Sequence, residues 1–229
     1  MADSKVKVRV VVFDVGGVIA GNLHWFQDAK NQVTAEELKK MSEERKVQWD
    51  LLKQDPEYGV EKFWKNIIKA GNVEEKLKWE DLESSLQKHF KIYQSTLSVI
   101  KSLNAAGYTT AVISNHSKEW FDAIFTRFGV WELFPDRELV VVSAHARCAK
   151  PSKQIFDYAF VRIAEKVKGV EPEEIAFVDD QMKNISSCGE NMKWHTIHFN
   201  VEEDPAEALT SALSELGVQL PVAQGDIAV

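Results

Sequence analysis

Short apolar runs rich in β-branched residues recur along the chain, and the first four are each followed by segments with helical periodicity. The five runs cover residues 8–13, 109–113, 139–142, 175–178 and 195–199, and helical segments cover 95–106, 118–128, 152–167 and 182–191. Such runs are typical of buried strands, and strands that alternate with helices form a parallel sheet covered on both faces. The sequence therefore predicts an α/β fold with a three-layer core.

Residues 22–93, between the first and second predicted strands, break this alternation with helical segments alone. Their recurring apolar positions are Trp49, Phe63, Trp64, Ile67, Ile68 and Leu86. Thr34 and Glu37 have the spacing of a capping box at a helix start, and Gly71 followed by Asn72 indicates a helix end. We expect a helical cap over the C-terminal edge of the sheet, or else structural bulk without a direct role. The core would then comprise residues 1–21 and 94–217, with 218–229 as a loosely held tail.

The composition is that of a globular protein with one sizeable core. The chain has 229 residues, of which 45% are hydrophobic and 28% charged, and its formal net charge is -7. This acidic balance argues against a nucleic-acid partner. Cys148 and Cys188 are too few for a disulfide framework and indicate ordinary reduced thiols. The charged N-terminus and the lack of a membrane-spanning apolar run lead us to expect a soluble, cytoplasmic monomer or homodimer without a membrane partner.

Polar side chains follow four of the predicted strands or open the next helix. They are Asp14, Ser114 with Asn115, Lys150 before Pro151, and the pair Asp179 and Asp180, with Asn184 about one helical turn later. The carboxyl ends of parallel strands meet at one edge of a sheet, where ligands bind. Clustered carboxylates there would repel one another unless a divalent cation lay among them, and oxygen ligands of this kind suit Mg²⁺. With Lys150 and Ser114 nearby, the set matches phosphoryl transfer through a covalent aspartyl intermediate.

These segments, taken in order, resemble the four motifs of the haloacid dehalogenase superfamily of hydrolases. The first motif is Phe-Asp14-Val-Gly-Gly-Val, the second Ser114-Asn115, the third Lys150-Pro151 and the fourth Val-Asp179-Asp180. The resemblance spans about residues 8–200, implies a Rossmann-like core, and makes the helical insert a family cap domain. It implies a Mg²⁺-dependent hydrolase of small phosphorylated metabolites.

The resemblance also implies a role for each site residue. Asp14 would attack phosphorus, and it would join the Gly16 carbonyl, Asp179 and Asp180 around Mg²⁺. Lys150 would stabilise the nucleophile and the transferring group. Phosphoryl oxygens would be bound by Ser114, Asn115 and Lys150, and the glycine that follows Gly16, Gly17, would let the backbone approach them closely.

Gly16 departs from the family pattern, in which most phosphatases carry a second aspartate that serves as general acid and then base. Such proton transfer contributes about 10²–10⁴ in rate. His116 and His24 are the candidates for a replacement donor, and both also fit ordinary structural or surface histidines. A substrate with a good leaving group, such as a sugar 1-phosphate, would need little help.

Two other functions remain open because of Gly16. A metal-independent 2-haloacid dehalogenase needs no proton donor, since halide leaves as an anion, but the pair Asp179 and Asp180 would then be unexplained. A regulatory module that binds a phosphorylated metabolite without efficient turnover is the other alternative.

Overall fold

The protein is described by a computed structural model that covers residues 7–220. Five parallel strands form one sheet in the order β3-β2-β1-β4-β5. Their bounds are β1 Val10–Phe13, β2 Thr109–Ser114, β3 Val140–Val142, β4 Ile175–Asp179 and β5 His195–His198. The predicted α/β fold with a parallel sheet is confirmed. β1 lies at the centre, so the residue that follows it reaches the middle of the C-terminal edge.

Nine α-helices accompany the sheet within residues 7–220. They are α1 Ala35–Leu52, α2 Val60–Gly71, α3 Trp79–Lys88, α4 Gln94–Ala105, α5 Lys118–Arg127, α6 Ser143–Ala146, α7 Lys153–Lys166, α8 Met182–Met192 and α9 Ala206–Glu215. Alternate residues of β1 belong to two different hydrophobic clusters. Val11 and Phe13 pack with residues of α4 and α5, whereas Val10 and Val12 pack with residues of α7 and α8. This alternation is expected of a strand buried on both faces.

Two strands begin slightly later than the sequence indicates. β1 starts at Val10, although the Arg9 N–H still donates to the Glu174 carbonyl, 2.8 Å away. β3 starts at Val140 because a short 3-10 turn, Arg137–Leu139, precedes it. Both differences are of the size expected for sequence-based boundaries.

The insert after β1 contains helices α1, α2 and α3, as its periodicity predicts. Thr34 accepts from the backbone N–H of Glu37, whose side chain accepts from the N–H of Thr34, so the predicted capping box is confirmed. α2 ends at Gly71, and Asn72 follows in the left-handed conformation, so that helix end is also confirmed. Phe63 and Trp64 are fully buried, which anchors α2.

The segment after α9 is described only up to residue 220. Val218, where we expect a tail to begin, is buried, and its N–H donates to the Leu213 carbonyl at 3.0 Å. Residues 221–229 of the expected tail lie outside the described residues. Among residues 7–220, no helix combines the length and apolar character needed to cross a lipid bilayer.

Candidate active site

Asp14 lies directly after the central strand, where the chain turns sharply through Gly17. Its N–H donates to the Val178 carbonyl at 2.9 Å, so the parallel ladder holds the residue at the sheet edge. The turn closes through the Gly17 N–H, which donates to the Ala20 carbonyl at 2.8 Å. Gly17 has a φ of 74°, a backbone conformation that favours glycine. The sheet and the turn together fix the Asp14 carboxylate at the mouth of the strand.

Lys150 forms two buried ion pairs with carboxylates from neighbouring strands. Its Nζ lies 2.8 Å from Oδ1 of Asp14 and 2.7 Å from Oδ2 of Asp179, and it also donates to the Ile113 carbonyl at 2.8 Å. The Lys150 side chain is fully buried. Burial alone would lower the pKa of Lys150, but the two carboxylates raise it above its ordinary value, which keeps the ammonium charged.

Asp14, Asp179 and Asp180 bring three carboxylates to one point, with an oxygen atom of each within 4.8 Å of the others. The single positive charge of Lys150 cannot neutralise three carboxylates. Burial, followed by the charge of Asp179, raises the pKa of Asp180 to about 6, and burial also raises the pKa of Asp14. These shifts have the direction expected of carboxylates that are buried close to one another.

The residues present fit a hard divalent cation. Every side-chain donor in the cluster is an oxygen, which suits Mg²⁺. Oδ1 of Asp180 is buried and has no hydrogen-bond partner among the described residues, and the same holds for Oδ1 of Asn184. Buried polar atoms normally have a partner, so both are available as ligands or as acceptors from water in a metal shell.

Asn184, which follows the acidic pair by about one helical turn in the sequence, contacts the Asp179 carboxylate directly. Its Nδ2 donates to both carboxylate oxygens of Asp179, at 3.0 and 3.1 Å. The N–H of Gln181 donates to Oδ1 of the same carboxylate at 2.8 Å. These contacts and Lys150 hold the Asp179 side chain in a single orientation.

Asn115 pairs with the backbone of Lys150. Its Oδ1 accepts from the Lys150 N–H and its Nδ2 donates to the Lys150 carbonyl, both at 2.8 Å. The pair therefore fixes the loop that carries Lys150, and phosphate binding by Asn115 stays a prediction. Ser114, the last residue of β2, precedes Asn115 and is buried. Its contact with a phosphoryl oxygen likewise stays a prediction.

Neither histidine proposed as a proton donor has the properties that this role requires. His116 borders the cavity above Asp14, but burial lowers its pKa to about 4, so its imidazole is neutral at pH 7. His24 is exposed, is absent from the cavity lining, and faces His89, with ring centroids 6.2 Å apart. Gly16 lines the cavity and supplies no side chain. These positions argue against proton donation by His24 or His116.

A cavity of about 210 Å³ lies above Asp14 and Lys150, between the sheet edge and the cap helices. From the cap side, it is bordered by Trp25, Trp49 and Arg45. The Arg45 guanidinium lies 4.9 Å from the centre of the Trp25 ring. The sequence does not reveal Arg45 as a cavity residue, because nothing in the spacing of helix α1 shows which of its many charged residues faces inward.

Comparison with known proteins agrees with this architecture. The family model of haloacid dehalogenase-like hydrolases matches residues 8–189. (S)-2-haloacid dehalogenase 4A of Burkholderia cepacia is 23% identical over 142 residues, which cover 61% of this chain and 57% of that protein.

Solved structures show the same fold at low identity. A haloacid dehalogenase family enzyme from Bacteroides thetaiotaomicron has a TM-score of 0.62 at 16% identity, over 89% of this chain and 98% of that one. An aspartate-to-alanine variant of that enzyme was solved with magnesium and inorganic phosphate, and it matches with a TM-score of 0.62 at 18% identity over 86% of this chain and 96% of that one. A dehalogenase has a TM-score of 0.60 at 17% identity, over 96% and 100%. Because the family model covers most of the sequence, the chain belongs to the haloacid dehalogenase-like hydrolases.

Proposed function

We propose that this hydrolase cleaves small phosphomonoesters, such as sugar phosphates, through an aspartyl-phosphate on Asp14 in a Mg²⁺-dependent reaction. The observation that carries this proposal is the cluster of Asp14, Asp179 and Asp180, whose oxygens lie within 4.8 Å of one another. A reaction that needed no cation would gain nothing from three carboxylates around one lysine, because their repulsion costs stability. The magnesium and phosphate bound by the Bacteroides relative support the same chemistry.

Each residue at the site would have its own role in this reaction. Asp14 would attack phosphorus with the oxygen that is not held by Lys150. Lys150, already charged and fixed, would stabilise the attacking carboxylate and the transferring group. Asp14, Asp179, Asp180 and the Gly16 carbonyl would hold Mg²⁺, which supplies positive charge against the phosphoryl oxygens when bound. Water would then hydrolyse the aspartyl-phosphate and release inorganic phosphate.

The test is phosphate release from p-nitrophenyl phosphate and a panel of sugar phosphates, with Mg²⁺ and with EDTA. We expect turnover only with Mg²⁺, and a loss of roughly 10³-fold or more in Asp14→Asn, because the nucleophile is removed. Asp81→Asn, on an exposed position of α3, is the matched control and should retain activity. Undiminished turnover in Asp14→Asn would contradict the covalent mechanism.

A 2-haloacid dehalogenase is the second candidate, favoured by the dehalogenases among the similar proteins. Chloride release from 2-chloropropionate in EDTA would support it over the phosphatase. Mg²⁺ binding without turnover of either substrate class would instead support a regulatory module.

A further inference from the structure

Arg45 is a half-buried positive charge on the cap side of the cavity. It has no carboxylate within ion-pair distance among residues 7–220, and its guanidinium rests over the Trp25 ring. A partly desolvated charge without a counter-ion is costly. An anionic group of a bound molecule would relieve that cost.

The other cationic side chains that border the cavity are either ion-paired or exposed to solvent. Lys150 is held between Asp14 and Asp179 at the floor. Lys53 is paired with Asp50 at 2.6 Å, and Lys183 is exposed to solvent. Arg45 is therefore the cavity cation that is both sheltered and, within the described chain, unpaired. A planar guanidinium also matches the two oxygens of a carboxylate.

The lack of a side chain at Gly16 is not explained by a lack of space for a Cβ atom. A Cβ atom at Gly16 would meet nothing closer than Oδ1 of Asn22, at 3.5 Å, which is an ordinary van der Waals distance. The neighbouring Asn22 amide is no acid, and His116 is neutral. A Cβ atom would therefore fit at position 16, yet Gly16 supplies no side chain that could protonate a departing alkoxide.

We propose that the substrate is an acyl phosphate, whose leaving group departs as a carboxylate and is bound by Arg45. This inference rests on the proposed phosphatase chemistry at Asp14 and assigns it a different substrate class, since an acyl phosphate is a mixed anhydride and not a phosphomonoester. The Asp14 carboxylate forms the new bond to phosphorus, and the bond from phosphorus to the acyl oxygen breaks. The carboxylate leaves with the bonding electron pair and takes no proton. Water then cleaves the aspartyl-phosphate to inorganic phosphate and the Asp14 carboxylate, and the proton passes to solvent.

This substrate class accounts for both features of the cavity. A carboxylate is a weak base, so its departure does not need the acid that is absent at Gly16. It also keeps its negative charge after the bond breaks, so it can serve as the counter-ion that Arg45 lacks. A sugar hydroxyl, even at the anomeric carbon, leaves as a stronger base than a carboxylate and would gain more from the missing acid. Because it is uncharged, it would also leave Arg45 unpaired.

The experiment compares kcat/KM for acetyl phosphate, phenyl phosphate and glucose 1-phosphate in the presence of Mg²⁺. We expect acetyl phosphate to be preferred by roughly 10²–10⁴, the usual contribution of a general acid. Arg45→Gln should lower kcat/KM for acetyl phosphate by roughly 10- to 100-fold, the effect of a charge-assisted hydrogen bond. The same variant should weaken product inhibition by acetate, and Arg45→Lys should restore part of both. Lys46→Gln, an exposed neighbour on α1, is the control and should change neither.

Gly16→Asp introduces a carboxyl group at the position where the acid is missing, and so tests whether an acid there changes the substrate preference. The variant should raise turnover of phenyl phosphate and glucose 1-phosphate and so narrow the preference for acetyl phosphate. Equal turnover of all three substrates by the natural protein, or an Arg45→Gln variant with unchanged kinetics, would overturn the acyl phosphate inference and leave the phosphatase standing. Failure to turn over any phosphate compound would overturn both.

Discussion

Gly17 and Asp180 are packed so closely that a Cβ atom on Gly17 would lie 2.5 Å from Oδ2 of Asp180. Real Cβ atoms do not approach other atoms this closely. The turn after β1 and the end of β4 therefore fit together only because position 17 has no side chain. This contact sets where the Asp180 carboxylate stands relative to Asp14.

Gly17→Ala should damage both the fold and the site. The new methyl group would displace Asp180, and the φ of 74° would strain any residue with a Cβ. We expect a loss of about 1–3 kcal/mol in the free energy of unfolding, together with weaker Mg²⁺ binding. Urea denaturation and calorimetric Mg²⁺ titration would measure the two effects. Gly189→Ala, in helix α8, is the matched control, because a Cβ atom there would meet nothing closer than 3.8 Å, and it should bind Mg²⁺ normally. Equal damage in both variants would contradict the role of the Asp180 contact.

Lys150→Met should destabilise the protein far more than a typical surface substitution does. It would leave the buried carboxylates of Asp14 and Asp179 without their counter-ion, which costs about 3–5 kcal/mol when one partner of a buried pair is removed. Lys153→Met provides the control, because Lys153 is exposed and should change stability by no more than about 0.5 kcal/mol. Denaturant midpoints without metal give the comparison. Similar midpoints for both variants would show that the buried pairs contribute little.

His116 should make stability fall as the solution becomes acidic. Its folded pKa of about 4 lies below the ordinary value of 6.5, so its contribution is complete above pH 6.5 and is lost as pH falls toward 4. Between about pH 7.5 and 4.5, this one group should cost about 2–3 kcal/mol. His116→Gln should flatten the pH profile by that amount. His198→Gln, at an exposed position, should keep the steeper profile, and equal slopes for all three proteins would contradict the shift.

The sheet and its acidic edge were predictable because both follow from local pattern. Apolar runs of strand length fix β1, β2 and β4, and parallel strands place their following residues at one edge whatever the detailed packing. The capping box at Thr34 and the helix end at Gly71 likewise depend only on residues that are close together in the sequence.

The cap side of the site could not be predicted, because it depends on contacts between distant segments. Arg45 and Lys46 are adjacent on α1 and alike in charge, and only the packing of that helix makes one of them border the cavity. Asn115 is similar, since its pairing with the Lys150 backbone joins residues 35 positions apart. The neutrality of His116 also follows from tertiary burial and not from its neighbours in sequence.

Glu83 should be a main attachment between cap and core. Its carboxylate accepts from the indole Nε1 of Trp64 in α2, at 2.7 Å, and from that of Trp120 in α5, at 2.8 Å. Glu83→Ala would leave two buried N–H groups without this acceptor, at a cost of about 1–3 kcal/mol for each. Thermal unfolding followed by tryptophan fluorescence should therefore show a marked fall in midpoint.

Glu83→Gln separates the loss of an acceptor from the loss of a side chain. The amide oxygen can still accept from an indole, so this variant should fall between Glu83→Ala and the natural protein. Glu75→Ala, in an exposed turn of the cap, should leave the midpoint unchanged. If Glu83→Ala behaved like Glu75→Ala, the aromatic contacts of Trp120 with Trp25 and Phe63 would have to hold the cap without the carboxylate.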